Sequence, residues 1–277
     1  MISLSNDFCT PMTDEQLREA CPYVFAKAPT NPDVSGKYVQ ATTKDVIDDM
    51  AKMGWYPVQA KQCRAKKGSK GIRSFHMVAM QNDEMTIPSP DGKTEAYVRI
   101  IIQNSHDGFN SFKFMMGLYR CVCSNGLVVA DAEFETFSIR HINYSFEELR
   151  QVVVAATSAV PALRKKTIAM RETVLTEEQK RELAVETYKI RKGVTEDVKV
   201  EEATVNDLLT PVRSEDEGNT LWNVFNVLQE KMIKGGFSAT GKNGKVRKQR
   251  SIKSIKKDTE YNQQLWSVAE KYMAVAA

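Results

Sequence analysis

The chain has 277 residues, 42% hydrophobic and 27% charged, with a formal net charge of +4; that composition supports a sizeable globular core. No apolar run approaches the roughly 18–20 residues that cross a bilayer, and the start MISLSNDFCT lacks the basic and apolar regions of a signal peptide. Five cysteines without framework spacing exclude a disulfide scaffold and imply free thiols in a reducing cytoplasm.

Residues 1–36 read as an N-terminal arm, with a capped helix start at Thr13-Asp-Glu-Gln-Leu17 and a Pro-rich loop over 22–32. The first strong helix is predicted over 43–53: Thr43 caps it, Val46, Ile47, Met50 and Ala51 share a face, and Gly54 ends it. Strands follow at 55–61, 74–81 and 95–104, the last a continuous β-branched run that implies burial on both faces. Residues 112–119 and 127–142 add β or mixed candidates. Ser145-Phe-Glu-Glu148 is a capping box that opens an apolar-faced helix, which Pro161 should kink or restart. Thr176-Glu-Glu-Gln179 repeats the box and opens a charged helix to about residue 192. Residues 193–219 are acidic and poorly periodic, with a loop at Arg213-Ser-Glu-Asp-Glu-Gly218. A helix over 220–232 places Leu221, Val224, Phe225, Leu228 and Met232 on one stripe, and a last helix covers 259–275, with Leu265, Val268, Ala269 and Tyr272. The expected fold is α+β: an antiparallel sheet of long strands backed by helices over 37–160, then a helical region over 161–277.

Charge is the strongest functional signal. Residues 231–257 hold ten Lys or Arg and no acid, leaving 29 basic against 35 acidic residues elsewhere, a net −6. A like-charged block repels itself unless a polyanion neutralises it, so nucleic acid is the first partner to weigh against a merely solvated loop. A second acid-free stretch, KQCRAKKGSKGIR over 61–73, lies between two predicted strands and reads as a hairpin arm with a glycine-rich tip. The candidate nucleic-acid ligands are therefore Lys61, Arg64, Lys66, Lys67, Lys70 and Arg73 in the first arm. In the second they are Lys242, Lys245, Arg247, Lys248, Arg250, Lys253, Lys256 and Lys257. Trp55, Tyr56, Phe75 and Phe237 lie near the arms; bases can stack on such rings, although core packing also explains them, and is the better account of Trp55.

Chemistry-bearing motifs are few. The histidines are His76, His106 and His141, and His106-Asp107 could bind a metal or act in acid–base chemistry. No further ligand stands at a recognisable spacing, and Asn104-Ser-His-Asp-Gly108 has the composition of a strand-ending turn. Cys121 and Cys123 form a CxC with no second pair, and there is no Walker, GxGxxG or GxSxG sequence. This reading assigns no catalytic residue, no metal and no cofactor.

Gly54-Trp55, Ser105-His-Asp-Gly108, Gly117-Leu-Tyr-Arg-Cys-Val-Cys-Ser-Asn-Gly-Leu127 and Thr220-Leu-Trp-Asn-Val-Phe-Asn226 together resemble the phage/plasmid-like proteins of domain-of-unknown-function family nine-three-two, over roughly residues 35–260. That resemblance implies a phage or mobile-element origin and a cytoplasmic site, in some phages beside replication genes, and supplies no activity. The order helix, Gly-Trp, three strands, helix also resembles the single-strand annealing recombinases in topology. It implies a curved hairpin sheet, ring-shaped homo-oligomers and single-stranded DNA held along a basic groove. The expected function is thus a non-enzymatic DNA-binding protein of replication or recombination, binding and annealing single strands. The alternatives are an interaction protein that counters a host defence, and a metal-dependent nuclease using His106 and Asp107.

Overall fold

The computed structural model of the chain describes residues 10–27, 42–63, 74–107, 110–121, 126–128, 137–139, 144–194, 199–240 and 244–275. It is an α+β protein, with an antiparallel sheet in its first half and a mostly helical second half. The chain divides into two compact units, Met1–Val160 and Pro161–Ala277.

The first unit opens with helix α1 (Asp14–Ala20), capped by a reciprocal pair of bonds between Thr13 and Gln16. A 3-10 turn at Pro22–Phe25 occupies the described start of the expected Pro-rich loop. Leu17, Cys21 and Val24 are fully buried, and burial pushes the Cys21 thiol up to about 12. Helix α2 (Thr43–Ala51) is capped by Thr42, not Thr43: Thr42 accepts from the Asp45 amide, and the Asp45 carboxylate accepts from the Thr42 amide. The correction matters, because it frees the Thr43 hydroxyl to turn inward. Gly54, at φ +80°, turns the chain out of the helix, and Trp55 follows as core, 2% exposed.

Strands β1 (Tyr56–Gln62), β2 (His76–Pro88), β3 (Thr94–Asn104) and β4 (Phe112–Arg120) pair in sequence order, all antiparallel. Short β5 (Gly126–Val128) and β6 (Phe137–Ile139) share the outer edge of β4, opposite Gly117–Tyr119 and Phe112–Phe114 respectively. Pro57 lies on β1, an edge strand, where a missing amide hydrogen costs least. Strand β2 runs seven residues past its predicted end at 81, because a bulge between Gln81 and Thr86 lets it pair again with Tyr97 and Ala96. From Val98 to Asn104 every residue of β3 is buried, as its apolar run implies. Side-chain alternation puts His76, Val78, Met80, Asn104, Ile102, Ile100, Phe114 and Met116 on one face. The other face carries Gln81, Ala79, Arg99, Ile101, Met115, Gly117 and Tyr119. There the Arg99 guanidinium lies 4.3 Å from the Tyr119 ring centroid, and its Nε donates to Gln81 Oε1 at 2.9 Å.

Helix α3 (Phe146–Glu172) starts as predicted, with Ser145 Oγ accepting from the Glu148 amide at 3.2 Å. It does not restart at Pro161 but runs through it. Proline removes one helical donor and crowds the preceding turn, which a 27-residue helix with buried Leu149, Val152, Ala156, Leu163 and Met170 can absorb.

In the second unit, α4 (Glu177–Lys192) is capped by the Thr176–Gln179 box and closed by left-handed Gly193. Residues assigned above to an irregular acidic stretch include a further helix, α5 (Glu202–Leu209), whose eight residues are too short for a clear period. The loop at 213–218 contains a 3-10 turn, and its Asp216 is 1% exposed and paired to Arg213 at 3.2 Å. Helix α6 (Leu221–Lys234) buries its whole predicted stripe, and Phe225 meets Trp266 of α7 (Ile255–Val275) edge-on at 5.8 Å. Between α6 and α7 stands a two-stranded ribbon, β7 (Ser238–Thr240) and β8 (Val246–Lys248).

One consequence of the sheet is testable at Gly117. A methyl group there would sit 2.8 Å from Tyr119 Cε2 and 3.0 Å from Ile101 Cδ1. Gly117→Ala should destabilise the protein by about 1–3 kcal/mol through overpacking, read as a lowered denaturation midpoint. An unchanged midpoint would show that the Tyr119 ring is not fixed over this glycine.

Candidate nucleic-acid interface

The basic stretch 231–257 is not one loop. Its first two cations belong to α6 and are spent on acids: Lys231 pairs with Asp207 at 3.4 Å and Lys234 with Glu230 at 3.1 Å. Gly235 and Gly236 then turn the chain at φ +75° and +90°. A Cβ on Gly235 would lie 2.5 Å from the Gln249 carbonyl oxygen, so only glycine lets the returning strand approach. The ribbon is held by backbone bonds: Gly236 N to Gln249 O at 2.9 Å, Gln249 N to Phe237 O at 2.8 Å, and Ile252 N to Ile233 O at 2.8 Å. Asp207 Oδ2 accepts from Ser238 N at 2.7 Å, and Phe237 and Ala239 are buried beneath.

That anchoring leaves the charged side chains outside. Lys245, Arg247, Lys248 and Arg250 are exposed on and after β8, Lys253 is exposed in the link to α7, and Lys256 and Lys257 are exposed in the first turn of α7. Cations at the positive end of a helix dipole weaken the helix rather than support it, so those two do not serve stability. Lys242 lies outside the described residues. The last turn of α4 reaches the same place, a contribution the sequence reading missed. Arg191 Nη2 donates to the Arg250 carbonyl, and Lys192 Nζ donates to Gln249 Oε1 at 2.9 Å. The only signal for it was the trio Lys189, Arg191 and Lys192 at a helix end, where cations are ordinary.

Of the first arm, Lys61 is exposed on β1, and Arg64, Lys66, Lys67, Lys70 and Arg73 lie outside the described residues. The root of that arm is a strand pair, with Gln62 opposite His76 and Cys63 N donating to Phe75 O at 2.9 Å. The stacking candidates are core instead: Trp55, Phe75 and Phe237 are at most 7% exposed, and half-buried Tyr56 is bonded to Asp83 and Gln81. Burial and the Asp83 carboxylate push the Tyr56 hydroxyl up to about 12.

Beside that root lies a buried polar cluster that the sequence showed only as a turn. His76 Nδ1 faces the Ser74 carbonyl at 2.6 Å, so Nδ1 carries the hydrogen. Its Nε2 then accepts from the Thr43 hydroxyl at 2.8 Å, while Asn104 Nδ2 donates to Thr43 Oγ1 at 2.9 Å. His106, its ring 5.3 Å from that of His76, donates its amide to Ser74 Oγ at 2.6 Å and holds the Tyr23 carbonyl with Nε2 at 2.9 Å. Ser105 Oγ donates to Asp107 at 2.5 Å and accepts from Asn110 at 2.8 Å. His106-Asp107 does lie in the β3–β4 connection, but buried, with both side chains engaged by their own chain. Among the described residues no three His, Cys, Asp or Glu converge as a metal site; His141 and Cys123 lie outside them.

Sheet, helical second unit and basic ribbon together describe an α+β protein, and no described helix is long and apolar enough to cross a membrane. The chain belongs to the family described as domain of unknown function (DUF932), which it matches over residues 33–266. It is similar to two Escherichia coli K12 proteins, UPF0380 protein YafZ and UPF0380 protein YfjQ. Each is 29% identical over 263 residues, covering 94% of this chain and 91% of the relative. No solved structure matches the chain.

Thr43 offers the sharpest test of the buried cluster. Thr43→Val keeps the shape but strands both His76 Nε2 and Asn104 Nδ2, and each buried unpaired group costs about 1–3 kcal/mol. Thr43→Ser keeps the hydroxyl and should cost far less. Urea denaturation of the two variants side by side decides it, and equal losses would mean that the hydroxyl carries no weight.

Proposed function

We propose that this chain is a non-enzymatic DNA-binding protein of a phage or other mobile element, which binds and anneals single-stranded DNA during replication or recombination. It would act in the host cytoplasm as a homo-oligomer. The observation that carries this reading is the β7–β8 ribbon. Its strands are anchored by backbone bonds and buried Phe237, while Lys245, Arg247, Lys248 and Arg250 all face solvent. A rigid support with mobile cationic side chains suits phosphate contact, which needs charge but no base-specific geometry.

Two further features support it. The antiparallel order β1–β4 behind helix α2 is the arrangement that suggested annealing recombinases, and the acid-free stretch 61–73 joins β1 to β2. His106 and Asp107 are committed to hydrogen bonds within the protein, which weighs against the nuclease reading.

Titration with labelled single-stranded DNA at several salt concentrations tests the proposal. Log affinity should fall with log salt at about −0.7 per phosphate contacted. Changing Lys245, Arg247, Lys248 and Arg250 to Gln should flatten the slope by about two to three units, and should slow annealing of complementary strands. Absence of binding by the intact protein would favour an acidic protein partner, and an unchanged slope in the variant would remove the ribbon from the interface.

A further inference from the structure

Helix α4 carries five cations, and three of them are neutralised locally. Lys180 pairs with Glu177 at 2.7 Å, Arg181 with Glu202 at 3.2 Å, and Lys189 with Glu186 at 2.9 Å. The last two, Arg191 and Lys192, have no acidic partner among the described residues. They turn instead to a carbonyl and an amide oxygen of residues 250 and 249, in a stretch flanked by Lys248 and Arg250. Both are half-buried, and Arg191 Nε is a buried donor without a hydrogen-bond partner. Buried donors are nearly always satisfied, so an orphan within a cationic cluster asks for an explanation.

Electrostatics sharpens the point. Burial holds the Arg191 guanidinium below its usual range; burial, and then Arg191 itself, do the same to the Lys192 ammonium. Neighbouring positive groups drawn partly out of water, with no counter-charge, are unfavourable unless an anion completes the arrangement. The dipole of α4 eases this only in part, and it acts on the last turn alone.

We propose that the C-terminal turn of α4 and the residues after β8 form one phosphate site, in which Arg191 and Lys192 on one side and Lys248 and Arg250 on the other receive a phosphodiester of the nucleic-acid backbone. This rests on the nucleic-acid reading above and adds to it. Arg191 and Lys192 stand on a helix and are already tethered, so they form the fixed part of the contact. Lys253, Lys256 and Lys257 extend the track along the chain into α7.

The test compares two double variants of equal charge loss on the same helix. Arg191→Gln with Lys192→Gln should weaken binding of labelled oligo-dT at least tenfold at moderate salt and flatten the salt slope by about 1.4, for two lost contacts. Arg181→Gln with Lys189→Gln, which removes cations that are paired with acids, should change affinity less than twofold. Lys192→Gln alone keeps an amide donor for Gln249 and leaves the Arg191 tether intact, so it carries the test if the double variant folds poorly. A parallel titration with inorganic tripolyphosphate separates the two readings. Oligo-dT binding that is unaffected by the Arg191/Lys192 variants overturns the site and leaves the nucleic-acid reading standing. Tripolyphosphate binding that these variants abolish, without any oligo-dT binding, keeps an anion site and overturns both the nucleic-acid reading and the phosphodiester assignment. Binding of neither probe overturns both.

Discussion

The first unit depends on a hydrogen-bond chain that runs in one direction, from the Asn104 amide to the Thr43 hydroxyl, to His76 Nε2, and from His76 Nδ1–H to the Ser74 carbonyl. Each group is fully buried, and each is satisfied only if the others are in place. The chain joins helix α2 to the ends of β2 and β3. It also fixes register: His76 faces Asn104 directly, and a slip of one residue would send either side chain to the opposite face of the sheet. His106 extends the same constraint to the 3-10 turn at Pro22–Phe25 through the Tyr23 carbonyl. The root of the acid-free stretch 61–73 is therefore held by polar bonds that allow few alternatives, in a sheet otherwise packed by non-directional apolar contact.

The second unit solves a different problem, which is how to present positive charge without weakening the fold that carries it. Its answer is to place acids where cations must be near the core, as with Asp207 beside Lys231, and to leave the ribbon cations in water. Lys256 and Lys257 occupy a helix end where charge of that sign is unwelcome. Such placements are what a surface used for binding looks like, because binding then relieves a cost that folding leaves in place.

Much of this was legible in the residues. The β-branched run of β3, the capping boxes at Thr13 and Thr176, the Gly54-Trp55 exit from α2 and the apolar stripe of α6 each state a local preference that tertiary structure then obeys. What could not be read depended on partners distant in sequence. Two adjacent threonines can each cap a helix, and only the distant His76 and Asn104 decide that Thr43 points inward. Helix α5 is stabilised by packing against α4 and α6, so its own short pattern gave no period. Pro161 is a local breaker overruled by the burial of residues on either side. The candidate interface was visible as charge, but charge does not reveal which cations are neutralised. Lys231 and Lys234 dropped out because of acids on α5 and α6, whereas Arg191 and Lys192 came in from a helix whose charges looked ordinary.

The turn at Gly235 has a consequence for how this surface can change over time. The ribbon is fastened by main-chain bonds and by two buried side chains, Phe237 and Ala239, and its close approach needs hydrogen as the only substituent on residue 235. None of the exposed lysines or arginines of β8 takes part in that fastening. Affinity and foldedness are thus written in separate sets of residues: mutation can redraw the charge pattern freely, gaining or losing grip in small steps, while the support beneath tolerates almost no change at one glycine.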